Sequence, residues 1–164
     1  MFKDRRFQWF LFTVALSLSL ASLYFEFIVG LVPCPLCIMQ RLAIFSLTAL
    51  LLFKLLFSNK KLRCAFAAIC LLISFTGLFF ASRQVYLQSL PADKVPACGP
   101  SLEMLMKYFP TQDVIHALFY GTGNCAKVDW TFLSLSMAFW SMLAFIGFVI
   151  ALFGEAYQLR KMSK

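Results

Sequence analysis

Charged residues are scarce in this chain. Of its 164 residues only 13% are charged, whereas 62% are apolar, and the mean hydropathy is +0.82. Soluble domains usually contain about 25% charged and about 45–50% apolar residues. A chain of this length has too little interior to hide so much apolar surface from water. The composition therefore excludes an ordinary soluble domain and indicates that lipid is the main solvent.

Acidic residues are the rarer of the two charged kinds, with 7 Asp and Glu against 15 Lys and Arg, a net charge of +8. In a soluble protein this excess would suggest nucleic acid as a partner. Here the basic residues form short clusters at the ends of apolar runs, where positive charge sets the orientation of a membrane protein. We therefore expect no nucleic-acid partner.

Four apolar runs are long enough to cross a bilayer, which takes about 20 helical residues. They cover about 9–29, 38–57, 65–81 and 132–153. Because lipid offers the backbone no hydrogen-bond partners, each run must be a helix or part of a closed barrel, and continuous apolarity excludes the barrel. A cleaved signal peptide is the weaker alternative for the first run. The sequence predicts an all-α membrane protein, a four-transmembrane-helix bundle in a single membrane domain.

The orientation follows from where the basic residues lie. Ten of the fifteen fall on one side of the predicted spans. They are Lys3, Arg5, Arg6, Lys54, Lys60, Lys61, Arg63, Arg160, Lys161 and Lys164. The positive-inside rule then places both termini in the cytoplasm, and the 30–37 turn and the long 82–131 loop outside.

This orientation sorts the six cysteines, which are Cys34, Cys37, Cys64, Cys70, Cys98 and Cys125. Cys64 lies beside the cytoplasmic loop and Cys70 within the third span, and we assign both a structural role, as we do the only histidine, His116. The other four lie on the outer side, where disulfides form and persist.

Cys34 and Cys37 form a C-x-x-C pair at the start of the second span. Such spacing allows a small disulfide ring, and a helix N-terminus stabilises a thiolate. Pro35 suits the first turn of a helix. Arg41 lies four residues after Cys37, on the same helix face. An ionisable residue in a span indicates a functional site, with snorkelling to the headgroups as the alternative.

Two structural interpretations compete with redox chemistry at this pair. A zinc site would need two more closely placed ligands, and the chain has one histidine. An inert disulfide across so short a loop would remove little chain entropy and add little stability. Redox chemistry is the better interpretation, and we predict no metal.

Cys98 and Cys125 form a distant pair within the long loop. A purely structural bridge between them would contribute about 3–4 kcal/mol by loop closure. Both cysteines stand among turn residues, so we expect both to be exposed and competent for thiol exchange. Between them, residues 101–108 are typical of a short helix that lies on the membrane surface or packs on the bundle.

Four short motifs follow one another along the chain: CPLCIMQR at 34–41, CGP at 98–100, GTGNCA at 121–126 and DWTFL at 129–133. With four predicted spans, the chain resembles the DsbB family of disulfide-bond formation proteins. These are quinone-linked oxidases of periplasmic thiol oxidoreductases in the bacterial inner membrane.

The resemblance implies a role for each outer cysteine. Cys98 would be attacked by a reduced soluble partner resembling DsbA. Cys125 would then attack the Cys34–Cys37 disulfide at Cys34. Cys37 would face a quinone, either ubiquinone or menaquinone, with Arg41 supporting both the thiolate and the quinone.

Two alternatives remain. The first is a quinone reductase of the vitamin K epoxide reductase type, although there the membrane-side pair usually comes late in the bundle. The second is a non-catalytic tetraspan scaffold whose outer loop carries a structural disulfide.

Overall fold

A computed structural model describes residues 5–57, 59–91, 93–99, 102–128 and 130–161. Five residues considered above lie outside these ranges: Lys3, Pro100, Ser101 in the predicted short helix, Asp129 and Lys164.

The described chain is built from long helices with a compact loop region inserted before the last one. In chain order the elements are α1 (Arg5–Phe27), α2 (Pro35–Leu56), α3 (Lys60–Ser89), α4 (Leu102–Tyr108), α5 (Thr111–Tyr120), a 3₁₀ turn (Gly123–Ala126), β1 (Thr131–Phe132), β2 (Leu135–Ser136) and α6 (Met137–Lys161). Helices α1, α2, α3 and α6 are each long and apolar enough to cross a membrane. The predicted four-helix membrane fold is confirmed.

The four long helices pack in chain order, α1 against α2, α2 against α3 and α3 against α6. On α1 the buried residues recur every three or four positions and so share one face. They are Gln8, Leu11, Ala15 and Ser19. Small side chains on this face let helices approach closely, and the Ser19 hydroxyl lies 3.0 Å from that of Thr48 on α2.

Two helix boundaries differ from the predicted spans. Helix α3 continues to Ser89, eight residues past the apolar run, because hydropathy marks the hydrocarbon layer and not the end of backbone hydrogen bonding. Helix α6 begins at Met137 and not near 132, because residues 131–136 form an antiparallel hairpin. Its turn residues Leu133 and Ser134 have φ of 52° and 64°, which a continuous helix cannot accommodate. The limits of the membrane-embedded segments, and the assignment of the whole chain to a single membrane domain, stay predictions.

A buried ion pair joins the helices at the end of the bundle away from Cys34. Lys54 Nζ on α2 lies 2.5 Å from Glu155 Oε2 on α6, and each side chain is 1% exposed. Gln8 Nε2 on α1 donates to Glu155 Oε1 at 2.9 Å. Because an unpaired charge among apolar helices is costly, these three groups fix the relative positions of three helices.

We predict that Lys54→Met destabilises the fold by about 3–5 kcal/mol, because it leaves the Glu155 carboxylate buried without its cation. The measurement is the free energy of unfolding in detergent micelles, followed by helical circular dichroism.

The matched control is Lys94→Met, at an exposed lysine of the loop, which should leave that free energy unchanged. The double variant Lys54→Met/Glu155→Leu should recover most of the loss, since replacing both charges leaves none unpaired. A double variant as unstable as the single one would contradict the ion-pair account.

Candidate functional site

The site is centred on the first residues of α2. Cys34 is the N-cap of this helix, and its sulfur accepts a hydrogen bond from the backbone N–H of Cys37 at 3.3 Å. Pro35 is the first helical residue, where its missing N–H costs nothing. The structure therefore places both sulfurs at the positive end of the helix dipole, which stabilises a thiolate.

Gln84 on α3 contacts both sulfurs. Its Nε2 lies 3.2 Å from the sulfur of Cys37 and 3.6 Å from that of Cys34. Gln40 Nε2 donates to Gln84 Oε1 at 2.6 Å, which fixes the direction of the Gln84 amide. Sequence reasoning missed Gln84 because it ended the third span at 81. Gln40, an amide about one turn after Cys37 and next to Arg41 in a predicted membrane span, was the available signal.

Arg41 is held by α1. Its guanidinium forms an ion pair with Glu26 and donates to the backbone carbonyl of Ser22 at 2.7 Å. No hydrogen bond between Arg41 and Cys37 is found within the described part of the chain. The two side chains instead line the same cavity. Two donors of Arg41 are thus occupied, and the fork of five N–H groups leaves others available.

This cavity has a volume of about 680 Å³ and is lined by residues of α1, α2, α3 and α6 and of the hairpin. Its polar lining residues include Cys37, Arg41 and Gln84, together with Glu26, Gln40, Gln88 and Lys127. Much of the remaining lining is apolar and aromatic, and includes Val14, Leu18, Phe25, Ile44, Trp130, Phe132, Trp140 and Phe145. A largely apolar cavity of this size with a few convergent polar groups is typical of a site for an organic ligand.

Cys125 is fully buried, and the expectation that it would be exposed is wrong. It lies in the 3₁₀ turn and packs in one cluster with Cys34, Leu36 and Leu87. The approach depends on Gly121, whose φ is +80° and where a Cβ would lie 2.8 Å from the side chains of Leu36 and Leu87. Only glycine combines this backbone conformation with so close an approach.

Cys98 is exposed, as predicted, and hydrogen bonds join its segment to the segment that contains Cys125. The Gly123 N–H donates to the carbonyl of Ala97 at 3.1 Å, and Asn124 Nδ2 donates to that of Gly99 at 2.8 Å. A Cβ at Gly123 would lie 2.3 Å from the carbonyl oxygen of Pro96. The segment of exposed Cys98 and the segment of buried Cys125 are therefore in direct contact.

The contact between Cys34 and Cys125 separates the proton affinities of the two thiols. Hydrogen bonding from Cys34 lowers the pKa of Cys125 to about 6, and burial opposes this shift without cancelling it. The same hydrogen bond raises the pKa of Cys34. The contact therefore favours the thiolate at Cys125 and the protonated thiol at Cys34.

The residues assigned a structural role lie away from this contact. Cys70 is fully buried in α3, and Cys64 is half-buried near the first turn of that helix. His116 on α5 stacks on Tyr120, with ring centroids 4.5 Å apart. None of the three lines the 680 Å³ cavity.

Comparison with known proteins identifies the family. The family model described as Disulfide bond formation protein DsbB matches residues 4–154. The chain belongs to the DsbB family. It is 42% identical over 137 residues to Disulfide bond formation protein B of Stutzerimonas stutzeri, covering 83% of each chain.

Other members of the DsbB family are about as similar. The Hahella chejuensis protein of the same name is 43% identical over 129 residues, 77% of this chain and 78% of the relative. Disulfide bond formation protein B 1 of Pseudomonas aeruginosa is 38% identical over 140 residues, 84% of this chain and 85% of the relative. This DsbB-family chain is a membrane disulfide oxidoreductase, and nothing in these matches favours the scaffold or the vitamin K epoxide reductase type.

We predict that Cys34→Ala raises the pH at which Cys125 ionises, from about 6 towards the ordinary thiol range, because it removes the donor that stabilises the thiolate. The measurement is the pH dependence of Cys125 modification by a small methanethiosulfonate in fully reduced protein, assigned by peptide mass.

Cys37→Ala is the control, since it leaves the hydrogen bond between Cys34 and Cys125 in place and should keep the midpoint near 6. An unchanged midpoint in Cys34→Ala would show that another group holds the Cys125 thiolate.

Proposed function

We propose that this chain reoxidises a soluble periplasmic DsbA-like thiol oxidoreductase and passes the electrons to a membrane quinone, ubiquinone or menaquinone. One observation carries the proposal. Cys98 is exposed, and hydrogen bonds join its segment to that of Cys125. Cys125 in turn is buried in one cluster with Cys34, and Cys37 lines the cavity. The net reaction converts a dithiol and a quinone into a disulfide and a quinol, a transfer of two electrons and two protons.

The first exchange takes place in the loop. A thiolate of the partner attacks the Cys98 sulfur of a Cys98–Cys125 disulfide, forming a mixed disulfide and releasing Cys125 as a thiolate. The low pKa of Cys125 makes it a good leaving group. The second thiolate of the partner then attacks the partner's sulfur in the mixed disulfide. This forms the disulfide of the partner and releases reduced Cys98.

The second exchange takes place at the helix entrance. The Cys125 thiolate attacks the Cys34 sulfur of a Cys34–Cys37 disulfide and releases the Cys37 thiolate. The Cys98 thiolate then attacks Cys125 in the resulting Cys34–Cys125 disulfide, which restores the Cys98–Cys125 disulfide and leaves Cys34 and Cys37 reduced. The packing of Cys125 against Cys34 supports Cys34 as the point of attack. The N–H of Gln84 and the N-terminus of α2 stabilise the Cys37 thiolate that results.

The cavity fits a quinone, because it combines apolar aromatic walls with hydrogen-bond donors beside a reactive sulfur. Cys37 and Arg41 would hold the ring, and the quinone would supply the terminal two-electron acceptor. The N–H groups of Arg41 that are not used by Glu26 and Ser22 would donate to a carbonyl oxygen of the quinone. The DsbA–DsbB–quinone route is itself the established example of how a periplasm is kept oxidising.

We further propose that the chain lies in the bacterial inner membrane with both termini in the cytoplasm and the redox loops in the periplasm. The distribution of Lys and Arg supports this orientation, with ten of fifteen on the cytoplasmic side. Cys98 then lies in the compartment where a DsbA-like partner and stable disulfides occur.

Purified protein is expected to reduce a soluble quinone analogue only when a reduced DsbA-like dithiol partner is added, and Cys37→Ser should abolish the turnover. The measurement is quinone absorbance. Cys64→Ser is the matched control, because Cys64 lies outside the site and its loss should leave the rate unchanged.

The exchange at Cys98 can be tested separately by trapping. Cys125→Ser mixed with the oxidised partner should accumulate a mixed disulfide, because the Cys98 thiolate attacks the partner's disulfide and no Cys125 thiolate is present to displace the partner from Cys98. The mass of the adduct identifies both sulfurs. Failure to capture the partner, or full turnover in Cys37→Ser, would favour a scaffold.

Glu26 is a positioning residue in this proposal. Glu26 forms an ion pair with Arg41 and lines the cavity. The backbone carbonyl of Ser22 accepts a second hydrogen bond from the same guanidinium. These two contacts pre-organise Arg41 towards the cavity, which lowers the entropic cost of binding a ligand there.

We therefore predict that Glu26→Gln raises KM for quinone about tenfold, since one charge-assisted hydrogen bond is weakened, while the rate of partner capture at Cys98 stays unchanged. Quinone titrations at saturating partner measure the first, and stopped-flow trapping the second. Asp113→Asn, an exposed acid on α5, is the control. A loss of partner capture in Glu26→Gln would indicate misfolding and not positioning.

A further inference from the structure

A second cavity lies between α3 and α5 and shares no lining residue with the cavity at Cys37. It is an open groove of about 510 Å³. Its lining residues are Phe79, Arg83, Gln112, Ile115, His116, Phe119 and Tyr120. We infer that this groove binds a phospholipid with an anionic headgroup, whose phosphate is held by Arg83.

Arg83 is a cation that aromatic rings hold in place. Its guanidinium carbon lies 5.6 Å from the ring centroid of Tyr86 and 5.9 Å from that of Tyr120, and Nε donates to the Tyr120 carbonyl at 3.4 Å. Within the described chain the ion pairs are Arg41–Glu26 and Lys54–Glu155, so Arg83 pairs with no carboxylate there. The terminal N–H groups of Arg83 are thus available to an anion.

The groove is apolar at one end and cationic at the other. Phe79 precedes Arg83 by four residues and so lies one turn, about 6 Å, deeper along α3. Phe79, Ile115 and Phe119 are each about half exposed, at 57%, 50% and 49%. Arg83 itself lies six residues, or about 9 Å, before the end of α3 at Ser89. The polarity therefore changes along the groove as it does along a lipid, from acyl chain to headgroup.

A phosphate fits the cationic end for two reasons. The guanidinium fork matches phosphate oxygens geometrically and is more weakly hydrated than an ammonium. His116, which stacks on Tyr120 beside Arg83, adds a ring N–H donor to the same groove. A net negative headgroup is favoured over ethanolamine, whose ammonium would face the Arg83 cation. Lipid bound there bridges α3 and α5, the helix that leads into the Cys125 turn.

The test uses the full chain in detergent micelles that contain equal amounts of phosphatidylglycerol and phosphatidylethanolamine, with retained lipids counted by native mass spectrometry. The unaltered protein should retain phosphatidylglycerol preferentially. Arg83→Gln should reduce that retention about tenfold, the effect expected for one charge-assisted contact. Arg83→Lys, which keeps the charge without the fork, should retain part of it.

Lys94→Gln removes an equal charge from an exposed site outside the groove and should leave retention unchanged. Phe119→Ala should weaken retention of both lipids, since it shortens the apolar wall. The proposal is overturned if Arg83→Gln retains phosphatidylglycerol normally, if Lys94→Gln loses as much, or if the two lipids are retained equally. Circular dichroism of each variant confirms the fold, and if Arg83→Gln does not fold, Arg83→Lys and Phe119→Ala decide the outcome.

Discussion

The contact between the sulfur atoms of Cys34 and Cys125 joins the membrane helices to the loop that follows α3. Hydrogen bonding between the two thiols lowers the pKa of Cys125 and raises that of Cys34. The contact is possible because residues 121 and 123 are glycines. A Cβ at Gly121 would collide with Leu36 and Leu87, and a Cβ at Gly123 would collide with the backbone of Pro96. Without that close approach the exposed Cys98 would have no short route to the sulfurs at the start of α2.

The helices that support this contact are held by polar side chains placed in an apolar setting. Gln8, Lys54 and Glu155 join three helices at one end of the bundle, while Glu26 and Arg41 join α1 to α2 near the other. A polar group without a partner is costly in such surroundings, so each pairing favours one arrangement of the helices. The same constraint leaves the cavity at Cys37 between defined walls.

The two ends of the proposed relay have opposite physical requirements. Cys98 must meet a soluble protein and is exposed, whereas Cys37 must meet a lipid-soluble acceptor and lines an apolar cavity. Cys125 and Cys34, which are buried in one cluster, lie between these two ends of the proposed relay. A structural disulfide in a scaffold would need neither the separation of the two pKa values nor the cavity beside Cys37.

The amino-acid sequence was enough to predict the four membrane helices, since long runs of continuous apolarity in lipid favour helices, and to separate Cys34, Cys37, Cys98 and Cys125 from the other two cysteines by their predicted side of the membrane. It also predicted the Cys34–Cys37 pair at a helix N-terminus, from proline and C-x-x-C spacing. Three features became visible only in the folded chain: Cys125 is buried, Gln84 contacts both sulfurs, and Glu26 pairs with Arg41. Those contacts join residues 15 to 91 positions apart, and local periodicity and hydropathy carry no information about which distant side chains meet.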